Sequence, residues 1–276
     1  MLHPRRSLPF WLGILTALLL QGCREHTAPT PPDFTEAPAP TADVPADSSA
    51  VPLPQPDTPT ETRLRAMGLV DVQEVDSSIM VHLVYATADN FLGRVLYTDI
   101  HKAFMLPALA TKLAAAQQQL HRSHPNLSLI VLDAARPLSV QRQIFHAVQG
   151  TPLNIYVSNP LHGPGLHNYG AAVDIALADS AGNLLPMGSA FDHFGPESHT
   201  DNETQLLATG TITQQEYDNR RLLHALMHQQ GLQNLRSEWW HYNLMSRTQA
   251  RQQLKPIDFK PESVIGGGNK HYTRCR

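Results

Sequence analysis

Apolar residues fall into three regimes along the chain. Residues 8–20 are nearly all apolar, residues 24–60 carry almost no large apolar side chain, and from Glu61 onward apolar and polar positions recur with short periods. In this third regime residues 69–75 and 79–85 alternate, which predicts two strands joined by a turn at Asp76-Ser-Ser78. Residues 107–121 open with Pro107 and are rich in strong helix formers, which predicts a helix. Residues 127–132 read as a buried strand that empties into Asp133-Ala-Ala-Arg-Pro137. Ser139 is placed to cap a helix running to Gln149.

Residues 171–177 again have strand character. With period two, Ala172, Asp174 and Ala176 share one face, and Val173, Ile175 and Leu177 share the other. Gly182-Asn183 marks a turn, and residues 187–209 show no clear period. Thr213 and Glu216 stand at capping-box spacing ahead of a helix that Gly231 ends. Residues 237–244 are strand-like and aromatic. Together these elements predict an α+β fold, a mainly antiparallel central sheet flanked by helices, with a metal site on the sheet.

The first two regimes bear on location. Residues 1–22 have a basic start and an apolar run too short for a comfortable membrane span, as in a signal peptide. Leu20-Gln-Gly-Cys23 resembles a bacterial lipobox, which implies lipidation of Cys23 and a periplasmic protein held by a membrane anchor; Gln21 is an unusual residue within that box, which leaves plain secretion as the alternative. By resemblance to enterobacterial lipoprotein sorting, Arg24 in place of an aspartate implies the outer membrane. Residues 23–60, rich in Pro, Ala and Thr, are expected to form a disordered tether. The folded domain is placed at 61–261 and a loose tail at 262–276. A formal charge of -3 with no basic stripe excludes nucleic acid as a partner. The two cysteines, Cys23 and Cys275, exclude a disulfide framework and a cysteine-built metal site.

The chemistry is carried by Gly165-Leu-His-Asn-Tyr-Gly-Ala-Ala-Val-Asp174 and Ser237-Glu-Trp-Trp-His-Tyr242. Taken singly, Asp174 would be a buried salt-bridged carboxylate, His167 a loop histidine, and Glu238 and His241 the polar edge of an aromatic strand. As a set they change meaning. Two imidazoles and a carboxylate close three corners of a tetrahedron around Zn2+ and leave the fourth to water, from which Glu238 could take a proton. No histidine is followed directly by glutamate, so the helical His-Glu-x-x-His arrangement is absent. Among the other histidines, His162 and His199 lie in loops near this site.

These residues carry a resemblance. His167-Asn-Tyr-Gly-Ala-Ala-Val-Asp174 and Glu238-Trp-Trp-His241 resemble the His-x-x-Gly-x-Ala-x-Asp and Glu-x-x-His signatures of zinc D,D-peptidases. Residues 85–94, Asp133-Ala-Ala-Arg-Pro137, Met187-Gly-Ser-Ala-Phe-Asp192 and Asn219-Arg-Arg-Leu-Leu223 are similar to blocks of one branch, the D-alanyl-D-alanine dipeptidases. The resemblance implies that His167, Asp174 and His241 bind zinc, that Glu238 is the general base and acid, and that Arg136 steadies the oxyanion. It implies that Asp192 meets a free substrate ammonium. Gly165 stands where the family commonly has serine. Tyr169, where it frequently has arginine, is expected to face substrate. The implied activity is zinc-dependent hydrolysis of D-Ala-D-Ala or a similar small peptide. A carboxypeptidase or endopeptidase acting on longer stem peptides, and a non-catalytic peptidoglycan-binding lipoprotein, remain as alternatives.

Overall fold

The computed structural model describes residues 55–261. The candidate signal segment, Cys23, most of the proline-rich stretch and the tail with Cys275 lie outside the described residues.

Order begins inside the stretch expected to be tether. Thr58 caps α1 (Pro59–Ala66): its hydroxyl accepts from the Glu61 N–H, and the Glu61 carboxylate accepts from the Thr58 N–H. Glu61 is buried, and its other oxygen accepts from the N–H groups of His101 and Lys102 at 2.7 and 3.0 Å. These donors offset the cost of burying a carboxylate. Asp57 accepts from Arg65 and Lys102, and this hydrogen bonding holds its carboxyl down to about 2, below the ordinary 3.8. Its contribution to stability is therefore present above about pH 4 and is lost as the pH falls toward 2. The folded unit thus includes residues 57–60 as well as those from 61. A chain starting at residue 61 is expected to lose about 1–2 kcal/mol, or about 2–8 °C in Tm, against one starting at 55. The gap should narrow in acid, and equal melting midpoints at neutral pH would place residues 55–60 outside the fold.

The two alternating stretches do not form a hairpin. After β1 (Val70–Asp71) the Asp71 carboxylate accepts from the Gln73 N–H, and the chain winds into the single turn α2 (Val72–Val75). It extends again only over β2 (Met80–Val81), and β1 pairs instead with β3 (Phe104–Met105) in a separate two-stranded sheet. The chain then passes through α3 (Pro107–Ser123) before β4 (Leu127–Asp133), and β2 lies parallel to β4, a pairing that needs such a long crossover. With β5 (Ala172–Asp179), β6 (Gln233–Asn234) and β7 (His241–Asn243), the main sheet has the order β2-β4-β5-β7-β6. It is mixed rather than mainly antiparallel. The direction of a two-residue strand is set by where the chain goes next, and alternation says nothing about that.

α4 (Leu138–Val148) begins directly after Pro137, and Ser139 does not cap it. The Ser139 hydroxyl donates to the Phe259 carbonyl at 2.9 Å, tying the end of the domain to this helix. Residues 187–209 contain a single 3-10 turn at Pro196–Ser198 and one short α-helix, α5 (Glu203–Ala208). α6 (Gln214–Gln229) starts at the Thr213–Glu216 capping box and is followed by Gly231 at φ +72°. α3 and α6 lie against each other and against β4 and β5, and α7 (Arg247–Gln253) follows β7.

Candidate metal centre

Strand register assembles the site. Asp174 on β5 stands opposite Asp133 on β4 and opposite His241 on β7. A bulge on β4 sets this row, because Val131 pairs with Ile175 and Asp133, two positions on, pairs with Asp174. An extra residue on one strand re-aims the side chains beyond it, and here it brings Asp133 level with Asp174. One step along, Val173 opposes Tyr242 on the other face, where the Tyr242 hydroxyl bonds His224 of α6. Alternation thus separates a helix-covered face from a face open to a cavity.

His167 arrives from a turn, Leu166–Tyr169, that enters β5. Gly170 closes it in the left-handed region at φ +65°, where an added Cβ would lie 2.8 Å from Leu69. The turn is sewn to the Arg-Pro loop. The Asn168 amide donates to the Arg136 carbonyl at 2.8 Å, and the Arg136 N–H donates to the His167 carbonyl at 3.0 Å.

The result is a triangle of donor atoms. His167 Nε2 lies 3.2 Å from Asp174 Oδ1 and 3.1 Å from His241 Nδ1, and His241 Nδ1 lies 3.0 Å from Asp174 Oδ1. Four ligands at about 2.0–2.1 Å in a tetrahedron have edges of about 3.3–3.4 Å, so this triangle is close to one face of such a shell. The far nitrogens fix the tautomers. His167 Nδ1 is 2.8 Å from the Ala134 carbonyl and His241 Nε2 is 2.8 Å from Asn243 Oδ1. Each acceptor takes the ring N–H, which leaves a lone pair on both inward nitrogens. Two lone pairs and a carboxylate oxygen converging on one point call for a cation, and the donor set suits a divalent metal of the borderline class. This is the one such cluster of three among the described residues. The ionisation trends show a site that favours positive charge. Burial would raise the Asp174 carboxyl, but His167 and His241 outweigh it and hold it well below the usual range. Burial would lower His167, and the Asp174 charge raises it instead.

The other predicted residues are placed as follows. Glu238 precedes β7, lies 3.9 Å from His241 Nδ1 and lines the cavity. Burial pushes its carboxyl up to about 7, with the His241 charge opposing. Arg136 is buried, donating through Nε and Nη2 to Asp133 and through Nη1 to Gln141 at 2.9 Å, with Nη2 3.5 Å from Asp174 Oδ2. At least one Nη1 N–H is left uncommitted. Asp192 faces the same cavity and is the one non-glycine residue at positive φ, +59°, among those described. Strain of this kind persists only where surrounding structure holds it. Burial pushes its carboxyl up to about 7 despite a hydrogen bond from the Tyr85 hydroxyl at 2.8 Å. His162 also lines the cavity, and His199 Nε2 is 3.5 Å from the Tyr156 hydroxyl.

Tyr169 does not join them. It packs with Leu166, Ala171, Ala172 and Ala250 and lines a different pocket beside Leu69 and Leu254. The tight turn that points His167 inward carries the side chain two places on away from the cavity. Sequence reasoning also missed partners. Asp133 takes the Arg136 guanidinium and the Tyr97 hydroxyl, and Asn243 could have been found as the same-face neighbour of His241. Nothing near His224 in sequence marks a carboxylate partner for it, yet the fold places Glu203 3.0 Å from its Nε2.

The cavity over this face encloses 530 Å³, within the usual range of small-molecule sites. Residues 65–258 match the family described as D-ala-D-ala dipeptidase. The chain belongs to that family. Its members are metallopeptidases, and the His167–Asp174–His241 cluster lies inside the matched region. The family's curated relatives include a D-alanyl-D-alanine dipeptidase of Escherichia coli K12, 32% identical over 180 residues, which covers 64% of this chain and 84% of that protein. Another, from Enterococcus faecium, is 38% identical over 195 residues and covers 64% and 92%. A third, from Enterococcus faecalis, is 27% identical over 196 residues, with the same coverages.

Proposed function

We propose that the protein hydrolyses D-Ala-D-Ala or similar short cell-wall-derived dipeptides outside the cytoplasm, with zinc held by His167, Asp174 and His241. The observation that carries this reading is the donor triangle with both imidazole tautomers fixed from behind. Zinc, when bound, supplies a Lewis acid that polarises the scissile carbonyl and acidifies water.

The remaining steps belong to the protein. Glu238, its carboxyl raised by burial, takes a proton from the attacking water and delivers it to the leaving amine; a base poised near neutrality can do both. The uncommitted N–H of Arg136 faces the oxygen that gains charge. Because Asp133 and Gln141 fix the guanidinium, no reorganisation is needed as that charge develops. Asp192 accepts the free ammonium of the substrate, whose charge returns the carboxyl to its ionised form. A proton-transferring glutamate has no use in a non-catalytic binder, which disfavours that alternative. The signal-like start and the lipobox-like Cys23 support a lipid-anchored periplasmic enzyme, with the proline-rich stretch giving it reach.

The test is to give the zinc-loaded protein D-Ala-D-Ala, mixed-chirality dipeptides and intact muropeptides. Release of D-Ala from the dipeptide is expected to be fastest, with one zinc per chain and loss of that zinc in His167→Ala. Cleavage of muropeptides alone would replace the dipeptidase reading with a carboxypeptidase or endopeptidase. Zinc binding without turnover of any of them would leave a binding protein.

A further inference from the structure

Two opposite charges line the metal-site cavity without pairing. Asp192 takes the Tyr85 hydroxyl and has no cationic partner within ion-pair distance among the described residues. Arg247, at the start of α7, lines the same cavity, and its Nη2 donates to Ser158 Oγ at 2.6 Å. No carboxylate among the described residues pairs with it, whereas the Arg136 guanidinium is committed to Asp133.

Ser158 is itself held. Its carbonyl accepts from Gln141 Nε2 at 2.8 Å, and Gln141 Oε1 accepts from Arg136 Nη1 at 2.9 Å. A run of hydrogen-bonded groups therefore leads from Arg136, beside Asp174, through Gln141 and Ser158 to Arg247. Gly165, two residues before His167, keeps this path open. A Cβ added there would meet Ser158 Oγ first, at 3.2 Å, so the Ser158 hydroxyl occupies the space that a side chain at 165 would enter.

We infer that Arg247, aimed by Ser158, binds the terminal carboxylate of the peptide substrate, so that the cavity selects short peptides with a free C-terminal acid. The inference rests on the peptide-hydrolase reading above. In a dipeptide the carboxylate sits one residue past the scissile bond, a Cα–Cα step of about 3.8 Å. A second cation that lines the same cavity as Arg136 is suited to meet it. Guanidinium suits that task, because its planar fork matches a carboxylate and it is weakly hydrated for a cation. With Asp192 for the ammonium and Arg247 for the carboxylate, the cavity complements a zwitterion. Blocking either end of the peptide removes one charge and leaves a protein group unpaired.

The experiment compares D-Ala-D-Ala with its C-terminal amide on wild type, Arg247→Gln and Arg247→Lys, all zinc-loaded. Arg247 is exposed, so these variants should fold. The wild type is expected to favour the acid over the amide in kcat/KM by about 10- to 100-fold, the worth of a charge-assisted hydrogen bond. Arg247→Gln should bring that ratio toward one, chiefly by raising KM for the acid, and Arg247→Lys should restore part of it. An unchanged ratio in Arg247→Gln overturns the inference. If the wild type cleaves neither compound, the hydrolase reading fails, and calorimetric titration of the acid and the amide then decides the carboxylate site separately. Acid binding weakened about 10- to 100-fold by Arg247→Gln, with amide binding less affected, upholds it; equal effects on both overturn it.

Discussion

Glu238→Gln is expected to lower kcat for D-Ala-D-Ala by about a hundred- to ten-thousand-fold while zinc content stays at one per chain. The substitution keeps the shape of the side chain and removes its ability to accept a proton. Glu238 stands 3.9 Å from the proposed ligand atom of His241, outside the donor triangle, so the metal should be retained. A pH profile adds a second reading. Burial raises the carboxyl from 4.5 to about 7, and a cation bound beside it would draw it back down. The acid limb of kcat/KM should therefore fall between pH 4.5 and about 7. Activity is lost as pH falls, because the protonated carboxyl cannot accept. The residual activity of Glu238→Gln should lack that limb. If the variant loses its zinc, or keeps more than a tenth of the wild-type kcat (about 1.4 kcal/mol), the assignment of the base is wrong.

Asp174→Asn should be more severe, because it takes away the only anion among the three donors. Asp174 Oδ1 touches both inward imidazole nitrogens, and Oδ2 faces Arg136 at 3.5 Å. An asparagine fits the same space but carries no charge and can turn its amide N–H toward the imidazole lone pairs. Zinc affinity is expected to fall by at least about 100-fold, the upper range seen when mere supporting partners of ligands are lost. Dipeptide turnover should become undetectable. Zinc content after dialysis, read beside turnover, checks both. Stoichiometric zinc retained by Asp174→Asn would overturn Asp174 as a required ligand.

Where local physics dominates, the sequence was readable. α3 was legible from Pro107 and its helix formers, α6 from the Thr213–Glu216 box, and β4 and β5 from apolar runs. Each depends on neighbours within a few positions. The failures share a different cause. Residues 69–75 alternate well enough for a strand, yet the Asp71 cap turns them into a helical turn after two residues. Ser139 has the chemistry of a cap but spends its hydroxyl on Phe259, a partner 120 positions away. Tyr169 follows His167 by two positions, which on a strand would share its face; in the tight turn that is present, it points into a separate apolar cluster.

The sequence by itself determined which donors exist and how each sits locally: a histidine in a glycine-bounded turn, a carboxylate in an apolar strand, a glutamate three residues ahead of a second histidine. It also determined family membership, because that rests on ordered blocks of residues. Only the tertiary structure decided that Asp133, Asp174 and His241 form one row across three strands, through a bulge that shifts β4 by one residue. It alone decided that β2 runs parallel, that Asp192 and Arg247 face one cavity, and that Tyr169 does not. Periodicity is written in near neighbours, whereas strand register and facing walls are settled by which long-range pairing buries the apolar faces and satisfies the polar groups together.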